Sequence, residues 1–306
     1  MMLIQRFVLG LIVAGALIAP AHGRLQVFAC EPEWAWLVTE LLPSAAVFSA
    51  THARQDPHYV EARPGLIAAM RRADLAVCTG ASLEAGWLPM LQQRSGNRRV
   101  QPGATGLFMA ADHVTLRHDH DHVHIDRTLG DVHPEGDPHF QLDPGRLATV
   151  AAALAQRLMV LQPEEALNIH RRSLQWQANW SRQQARWREA AAQLQGLAVV
   201  TQHSSFDYLL YWLGVEKRAD LEPKPGLPPT ASHLRDLLVE LQRTPAQGIL
   251  VASYQNERPA IWLSQQTGLP YAVVPATVDE RSGYGDMVSL IDYLIATLAG
   301  FRALPQ

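Results

Sequence analysis

Residues 163–195 read PEEALNIHRRSLQWQANWSRQQARWREAAAQLQ, and the organisation of the whole chain follows from them. They include no glycine and no proline after the first position. Two glutamates favour a helix start, because acidic groups are stabilised at the positive end of the helix dipole, and Gly196 is a typical stop. Such a helix would be about 50 Å long. One small domain does not need that length, so we predict a linking helix between two domains.

Short apolar runs alternate with helical patterns on both sides of this helix. Before it, the pattern predicts strands at 25–29, 45–49 and 75–78 and helices at 34–42, 65–72, 83–94 and 144–161. After it, the pattern predicts strands at 197–201, 219–221, 248–252 and 271–275 and helices at 205–213, 230–242, 258–267 and 286–298. Continuous apolar strands between helices are typical of parallel sheets that are covered on both faces.

The predicted fold class is therefore α/β, with two α/β lobes around parallel central sheets joined by one long helix. We expect the N-terminal lobe at 24–162, the linking helix at 163–195 and the C-terminal lobe at 196–306. Bilobed proteins bind ligands in the cleft between the lobes, at the carboxyl ends of the strands. We expect the functional residues to lie there.

Residues 1–23 have the layout of a secretory signal peptide. Arg6 precedes an apolar run at 7–19, and Pro20 and small residues follow it. The run is too short to span a bilayer, which needs about 20 residues, although an uncleaved anchor is the alternative. No cysteine stands at the expected cleavage point, so a lipid anchor is not expected. We predict an exported protein.

The overall composition excludes two broad classes. The 306 residues are 48% hydrophobic, which is too apolar for a disordered chain. The formal net charge of −3 argues against a nucleic-acid binder that works through a broad basic field. Of the 26 basic residues only Lys217 and Lys224 are lysines.

Cys30 and Cys78 each follow or end a short apolar run that is predicted to be a buried strand. If these strands are neighbours, the two thiols lie at the same end of the sheet. Cysteines of an exported protein can then form a disulfide. Two buried free thiols are the alternative, and the sequence leaves both open.

Histidine is unusually frequent, with 13 in the chain and seven of them between His113 and His139, so a metal site is the first hypothesis. Three histidines and one carboxylate follow predicted strands, two in each half: His58, His139, His203 and Asp279. Three neutral imidazoles with one carboxylate suit a tetrahedral Zn²⁺ site. Glu280 is the rival of Asp279.

Several motifs resemble those of one family. Asp56-Pro57-His58 is similar to its first ligand motif, and residues 137–144, DPHFQLDP, are similar to its DPHxWLDP segment. Residues 202–208, QHSSFDY, are similar to its third segment, and residues 80–88 match its GxxxE-xx-WL signature. The chain thus resembles the cluster A-I solute-binding proteins, the periplasmic metal-binding components of bacterial ABC importers for zinc and manganese.

The resemblance implies a fold of two α/β lobes joined by one long helix and metal ligands at His58, His139, His203 and Asp279. It implies a high-affinity periplasmic protein that delivers the metal to an ABC permease, with no enzymatic activity. Manganese members have a carboxylate where this chain has His203, and imidazole suits zinc, so we expect zinc. We expect a monomer with no nucleic-acid partner, and a periplasmic zinc metallochaperone is left open as a second partner.

The loop at 113–137 carries a histidine at every second position over part of its length: His118, His120, His122 and His124. Histidine-rich tracts are compositional signals of metal binding. We predict an accessory loop that captures zinc and passes it to the cleft. A solvated loop with no essential role is the alternative.

The alternatives to this function are three. The first is a manganese-specific binding protein of the same family. The second is a periplasmic zinc hydrolase that uses His58, His139 and His203 with Asp279 or Glu280 as base, although no HExxH or GxSxG motif is present. The third is a surface adhesin, which nothing in the sequence supports directly.

Overall fold

The computed structural model describes residues 23–117, 131 and 133–303. The predicted signal peptide and the predicted accessory ligands His118, His120, His122 and His124 lie outside the described residues, apart from Gly23. The described residues form two four-stranded sheets whose paired strands are all parallel. The predicted α/β class with two parallel sheets is confirmed.

The first sheet has the order β2-β1-β3-β4, with β1 at Gln26–Ala29, β2 at Ala46–Ser49, β3 at Leu75–Cys78 and β4 at Leu107–Met109. Its helices are α1 at Pro32–Leu41, α2 at Pro64–Arg72, α3 at Leu88–Ser95 and α4 at Pro144–Leu161. We call this sheet with its helices the N-terminal lobe. Fully buried residues such as Phe28, Val77 and Leu154 make up its interior.

The second sheet repeats the same order as β6-β5-β7-β8, with β5 at Ala198–Thr201, β6 at Glu216–Asp220, β7 at Gly248–Ala252 and β8 at Tyr271–Val274. Its helices are α6 at Asp207–Leu213, α7 at Ala231–Arg243, α8 at Arg258–Thr267 and α9 at Met287–Ala303. We call this part the C-terminal lobe.

Between the two sheets lies α5 at Ala166–Ala191, a helix of 26 residues with 3₁₀ turns at Pro163–Glu165 and Ala192–Leu194. At 1.5 Å per residue it is about 39 Å long. Gly196, at φ 75°, ends the helical segment in the left-handed region.

Three tryptophans of α5 are buried against both lobes, which explains why the helix is long. The indole of Trp180 donates to the Pro144 carbonyl of α4, and that of Trp187 donates to Asp292 of α9. Trp176 stacks on Trp180 with ring centroids 5.0 Å apart. The apolar core therefore runs through α5 from one lobe into the other.

The disulfide alternative is confirmed, because Cys30 and Cys78 are bonded with their Cα atoms 4.8 Å apart. β1 and β3 are neighbours, and each cysteine lies at the carboxyl end of its strand region. The bond therefore ties the two central strands of the N-terminal lobe together next to the cleft.

The predicted helix at 83–94 starts later, at Leu88. Ala81 and Ser82 have φ angles of 48° and 64°, in the left-handed region. The Glu84 carboxylate accepts hydrogen bonds from the amides of Thr79 and Gly80, which holds this stretch as a turn. The sequence analysis also missed β4, which is only three residues long.

Within the residues that the structure describes, no helix has the length and apolar character needed to cross a membrane.

Candidate metal centre

Four imidazoles meet between the two lobes. The ring centroids of His58, His139 and His203 lie 5.0–5.7 Å from one another. His133 joins them, with its ring 5.3 Å from that of His58 and 5.8 Å from that of His139. Ligand nitrogens of His58, His133 and His139 all lie within 4.8 Å of one another. We call these four residues the imidazole cluster.

The position of the cluster follows from the parallel sheets. His203 comes two residues after β5, and His58 lies in the connection that follows β2. His139 precedes a 3₁₀ turn, Phe140–Leu142, whose Phe140 and Leu142 are completely buried and lead into α4. Loops from both lobes therefore bring these imidazoles together, and open α/β proteins bind ligands at the carboxyl ends of their parallel strands.

His58 and His139 occupy the same local structure, because each is the third residue of an Asp-Pro-His sequence. Asp56 Oδ1 accepts from the His58 amide at 2.9 Å and lies 2.7 Å from His58 Nδ1. Asp137 Oδ1 accepts from the His139 amide at 3.0 Å and lies 2.6 Å from His139 Nδ1. One carboxylate oxygen thus fixes both the backbone turn and the ring.

The ring of His203 is also oriented by a carboxylate, but this carboxylate belongs to a residue that is distant in sequence. Its Nδ1 lies 2.9 Å from Oε2 of Glu222, which follows β6. The same Glu222 oxygen accepts from the Gly226 amide at 2.8 Å. The carboxylate therefore orients His203 and shapes the loop after β6 together.

A carboxylate at Nδ1 holds the proton on that nitrogen and leaves Nε2 with a free lone pair. Nε2 of His139 and Nε2 of His203 are buried and have no hydrogen-bond partner among the described residues. Buried polar atoms are almost always paired, so these two nitrogens lack a partner that a cation would supply. The donor set of imidazole nitrogens suits zinc.

Charges around the cluster favour a cation. Burial opposes ionisation of Asp56 and Asp137, but hydrogen bonds and charge from His58 and His139 outweigh it and lower the pKa of both carboxyls. Burial lowers the pKa of His139. Burial and the neighbouring imidazoles lower the pKa of His133 to about 3. Neutral imidazoles backed by ionised carboxylates are the form that binds a metal.

His203 differs from the other imidazoles. Burial lowers its pKa, yet the hydrogen bond and charge of Glu222, with Asp220 and Asp131, more than compensate, and the pKa is raised. A proton therefore competes with a metal at His203 more than at His139.

Asp279 is buried and precedes a short 3₁₀ turn at Glu280–Ser282. Its carboxylate accepts from the Ser282 hydroxyl at 2.6 Å and from the Arg281 amide at 3.2 Å. No contact among the described residues joins it to the imidazole cluster, and Glu280 is exposed. Asp279 as the fourth ligand therefore stays a prediction.

The segment before Asp279 is held by the N-terminal lobe. The Thr277 hydroxyl donates to the Glu33 carboxylate of α1. The side-chain amide of Gln141 donates to the Ala276 carbonyl at 3.0 Å. The Ser253 hydroxyl also donates to the Ala53 carbonyl at 2.6 Å. Direct hydrogen bonds thus join the lobes on the side of the cleft where Asp279 lies.

Neither His133 nor Glu222 was predicted to belong to the site. His133 lies in the histidine-rich loop and has no motif around it that sets it apart. Glu222 is 19 residues from His203, and its only signal is its position just after a strand.

Each lobe also contains a group of buried or partly buried carboxylates. In the N-terminal lobe, burial raises the pKa of Glu31, Glu33 and Glu84, that of Glu33 to about 7. In the C-terminal lobe, Lys217 Nζ lies 2.5 Å from Asp207 and 2.8 Å from Asp220. The three glutamates have no cationic partner among the described residues, whereas Asp207 and Asp220 share Lys217.

The chain matches one family of known proteins over most of its length. The family model of the periplasmic zinc-uptake complex component A, ZnuA, matches residues 27–300. The high-affinity zinc uptake system protein ZnuA of Yersinia pestis is 23% identical over 215 residues, which cover 67% of each chain. The zinc-binding lipoprotein AdcA of Streptococcus pneumoniae is 23% identical over 216 residues, 70% of this chain but 42% of that protein.

Solved structures show the same fold. A crystal structure of ZnuA matches with a TM-score of 0.76 at 18% identity, covering 92% of this chain and all of the other. A manganese-bound periplasmic metal-binding protein of Candidatus Liberibacter asiaticus matches with a TM-score of 0.73 at 13% identity, covering 91% of this chain and 99% of the other. Structures with this fold have been solved with manganese, cadmium or zinc bound.

Proposed function

The chain belongs to the family of periplasmic zinc-uptake complex component A proteins, and from this premise we propose that it binds zinc in the periplasm and delivers it to an ABC-type permease. The observation that carries the proposal is the convergence of His58, His139 and His203, with Nε2 of His139 and Nε2 of His203 buried and unpartnered among the described residues. We also propose that residues 1–23 are a signal peptide and that the protein is a soluble monomer with no enzymatic activity.

The ligands we propose are His58, His139 and His203, with a fourth from His133 or Asp279. The contact between Nε2 of His133 and Nε2 of His58, at 3.2 Å, supports His133, because two nitrogens this close can share one cation. A binding protein supplies all coordination positions, whereas a catalytic zinc keeps one open for water. With four ligands from the protein, the site we propose is that of a binding protein rather than a hydrolase.

Zinc is favoured over manganese by the donor atoms. Manganese prefers oxygen-rich sites of higher coordination, and imidazole suits zinc. The nearest carboxylates, Asp56, Asp137 and Glu222, hydrogen-bond to Nδ1 atoms and so are committed to orienting the rings. The direct donors we propose are therefore chiefly nitrogen.

The test is a competition titration of metal-free protein with zinc and manganese against a chelator of known affinity. We expect one tightly bound zinc per chain and much weaker manganese binding. His139→Ala lowers zinc affinity by more than about 100-fold, because partners that only orient a ligand already contribute about 10- to 100-fold. His170→Ala, at an exposed histidine of α5, is the matched control.

Two outcomes would contradict the proposal: a zinc stoichiometry near zero for the wild type, or equal affinity for zinc and manganese. Delivery is tested separately with the cognate permease in proteoliposomes. We expect zinc-loaded wild type to stimulate ATP hydrolysis by the transporter and His139→Ala to stimulate it little. Equal stimulation by both would contradict delivery of bound metal.

A further inference from the structure

Asp131 contacts both lobes beside the imidazole cluster. Its Oδ1 accepts from the hydroxyl of Tyr59 at 2.7 Å, and Tyr59 directly follows His58. Its amide donates to the carbonyl of Pro225 at 2.8 Å, in the loop after β6. One residue thus joins the neighbour of an N-terminal ligand to the C-terminal lobe.

On the C-terminal side the contact continues as far as His203. A Cβ added to Gly226 would lie 2.3 Å from Oδ2 of Asp131, so the two segments approach closely only because position 226 is glycine. The Gly226 amide donates to Glu222 Oε2, the oxygen that also lies against His203 Nδ1. Asp131, Gly226, Glu222 and His203 therefore form one chain of contacts.

His133 lies two residues beyond Asp131, on the more exposed side of the cluster. His58, His139 and His203 are 7%, 3% and 3% exposed, whereas His133 is only partly buried. Further along, the Ser82 hydroxyl donates to Glu135 at 2.8 Å. The contacts of Asp131 and Glu135 thus flank His133 in the chain.

We propose that Asp131 is a positioning residue that holds His133 against the imidazole cluster by joining Tyr59 to the loop at Pro225 and Gly226, and that it thereby slows the release of bound metal. The inference rests on the proposed zinc-binding function. Metal that leaves toward the exposed side must pass His133. Loss of the Asp131 contacts therefore raises the dissociation rate of the metal and leaves the fold unchanged.

The experiment measures the rate at which zinc-loaded protein transfers its metal to an excess of a fluorescent chelator in a stopped-flow instrument. We expect Tyr59→Phe and Asp131→Ala each to raise the release rate by at least about threefold, the loss expected for one hydrogen bond. The double variant releases zinc no faster than the faster single variant, because both changes remove one contact. Asp131→Asn stays within about twofold of the wild type, because its amide oxygen still accepts from Tyr59.

Matched controls separate this role from general destabilisation. Tyr211→Phe removes the same hydroxyl from a tyrosine of similar exposure, 66% against 64% for Tyr59, and leaves the release rate unchanged. Gly226→Ala raises the rate, whereas Gly103→Ala, with a similar positive φ and no atom near its Cβ, does not. The free energy of unfolding of Tyr59→Phe matches that of Tyr211→Phe.

Release rates of Tyr59→Phe and Asp131→Ala equal to the wild type would overturn the inference, as would effects that multiply in the double variant. A wild type that takes up no zinc would instead overturn the proposed function, so the two failures are distinguishable.

Discussion

The two lobes share one sheet order but hold their histidines by different means. In the N-terminal lobe, His58 and His139 each have a carboxylate two residues upstream, and the disulfide Cys30–Cys78 ties the central strands together. In the C-terminal lobe, the carboxylate of His203 comes from Glu222 on another loop.

The imidazoles are thus oriented in two ways, by residues close in sequence in one lobe and by a tertiary contact in the other. An Asp-Pro-His turn orients its imidazole with three consecutive residues. His203 is oriented only when β5 and β6 pair and bring Glu222 to it. The orientation of His203 therefore depends on the packing of its lobe more than the orientation of His58 or His139 does.

The largest expected effect comes from the covalent link of the N-terminal lobe. Replacement of Cys30 and Cys78 by Ala lowers the free energy of unfolding by about 4 kcal/mol, because the disulfide closes a loop between cysteines 48 positions apart. Urea unfolding under oxidising conditions measures the loss. Wild type reduced with dithiothreitol, which also lacks the disulfide, is the control. A difference below about 1 kcal/mol between the oxidised wild type and the variant would show that the disulfide does not set the N-terminal lobe apart.

Loss of the tertiary partner comes next. Glu222→Ala lowers zinc affinity by about 10- to 100-fold, the range for partners that orient a metal-ligating histidine. Glu216→Ala, at an exposed glutamate of β6, is the matched control. Chelator competition measures both, and a loss below threefold for Glu222→Ala would show that His203 does not need its distant partner.

Buried Glu33, which joins the lobes through Thr277, makes stability depend on pH. Burial raises its pKa in the folded protein from 4.5 to about 7, so the folded state binds the proton more tightly than the unfolded state. The stability that protonated Glu33 contributes is present below pH 4.5 and is lost as the pH rises through about 7.

Glu33→Gln keeps a neutral side chain at every pH. We expect its free energy of unfolding, relative to the wild type, to increase between pH 5 and pH 8 by on the order of 1–3 kcal/mol. Urea unfolding at the two pH values measures this, with the exposed Glu61→Gln as control. A pH-independent difference would contradict the prediction.

The smallest effect lies within the repeated Asp-Pro-His turn. An asparagine in place of the aspartate can still accept from the histidine amide and Nδ1, so only the charge is lost. The side chain of Asp56 is 34% exposed and that of Asp137 only 9%, so water screens the charge of Asp56 more. We expect Asp56→Asn to lower zinc affinity about threefold and Asp137→Asn to lower it more. Chelator competition on both variants would show equal losses if burial did not matter.

The sequence predicted those parts of the structure that depend on local patterns. Short apolar runs located seven of the eight strands that the structure describes, and β4 was missed because three residues carry too weak a pattern. The helix at α3 was placed too early because the left-handed turn at Ala81 and Ser82 is made by residues that rarely adopt it.

The site divides in the same way. His58 and His139 stand in recognisable Asp-Pro-His sequences, and His203 follows a strand by two residues, so the sequence alone predicted all three as candidates. Glu222 was not found, because its role arises from strand pairing rather than from its neighbours in sequence. His133 was assigned to the accessory loop, because only the folded chain brings it to His58.

The ion pairs of Lys217 have a practical consequence for labelling the protein. Only two side chains of the chain carry a primary amine, and Lys217 is bound between Asp207 and Asp220, whereas Lys224 is exposed. Lys224 adjoins Pro225 and Gly226, the residues that contact Asp131. An amine-reactive fluorophore at this side chain would therefore sit beside the junction of the two lobes and act as an optical reporter of metal exchange without any introduced residue.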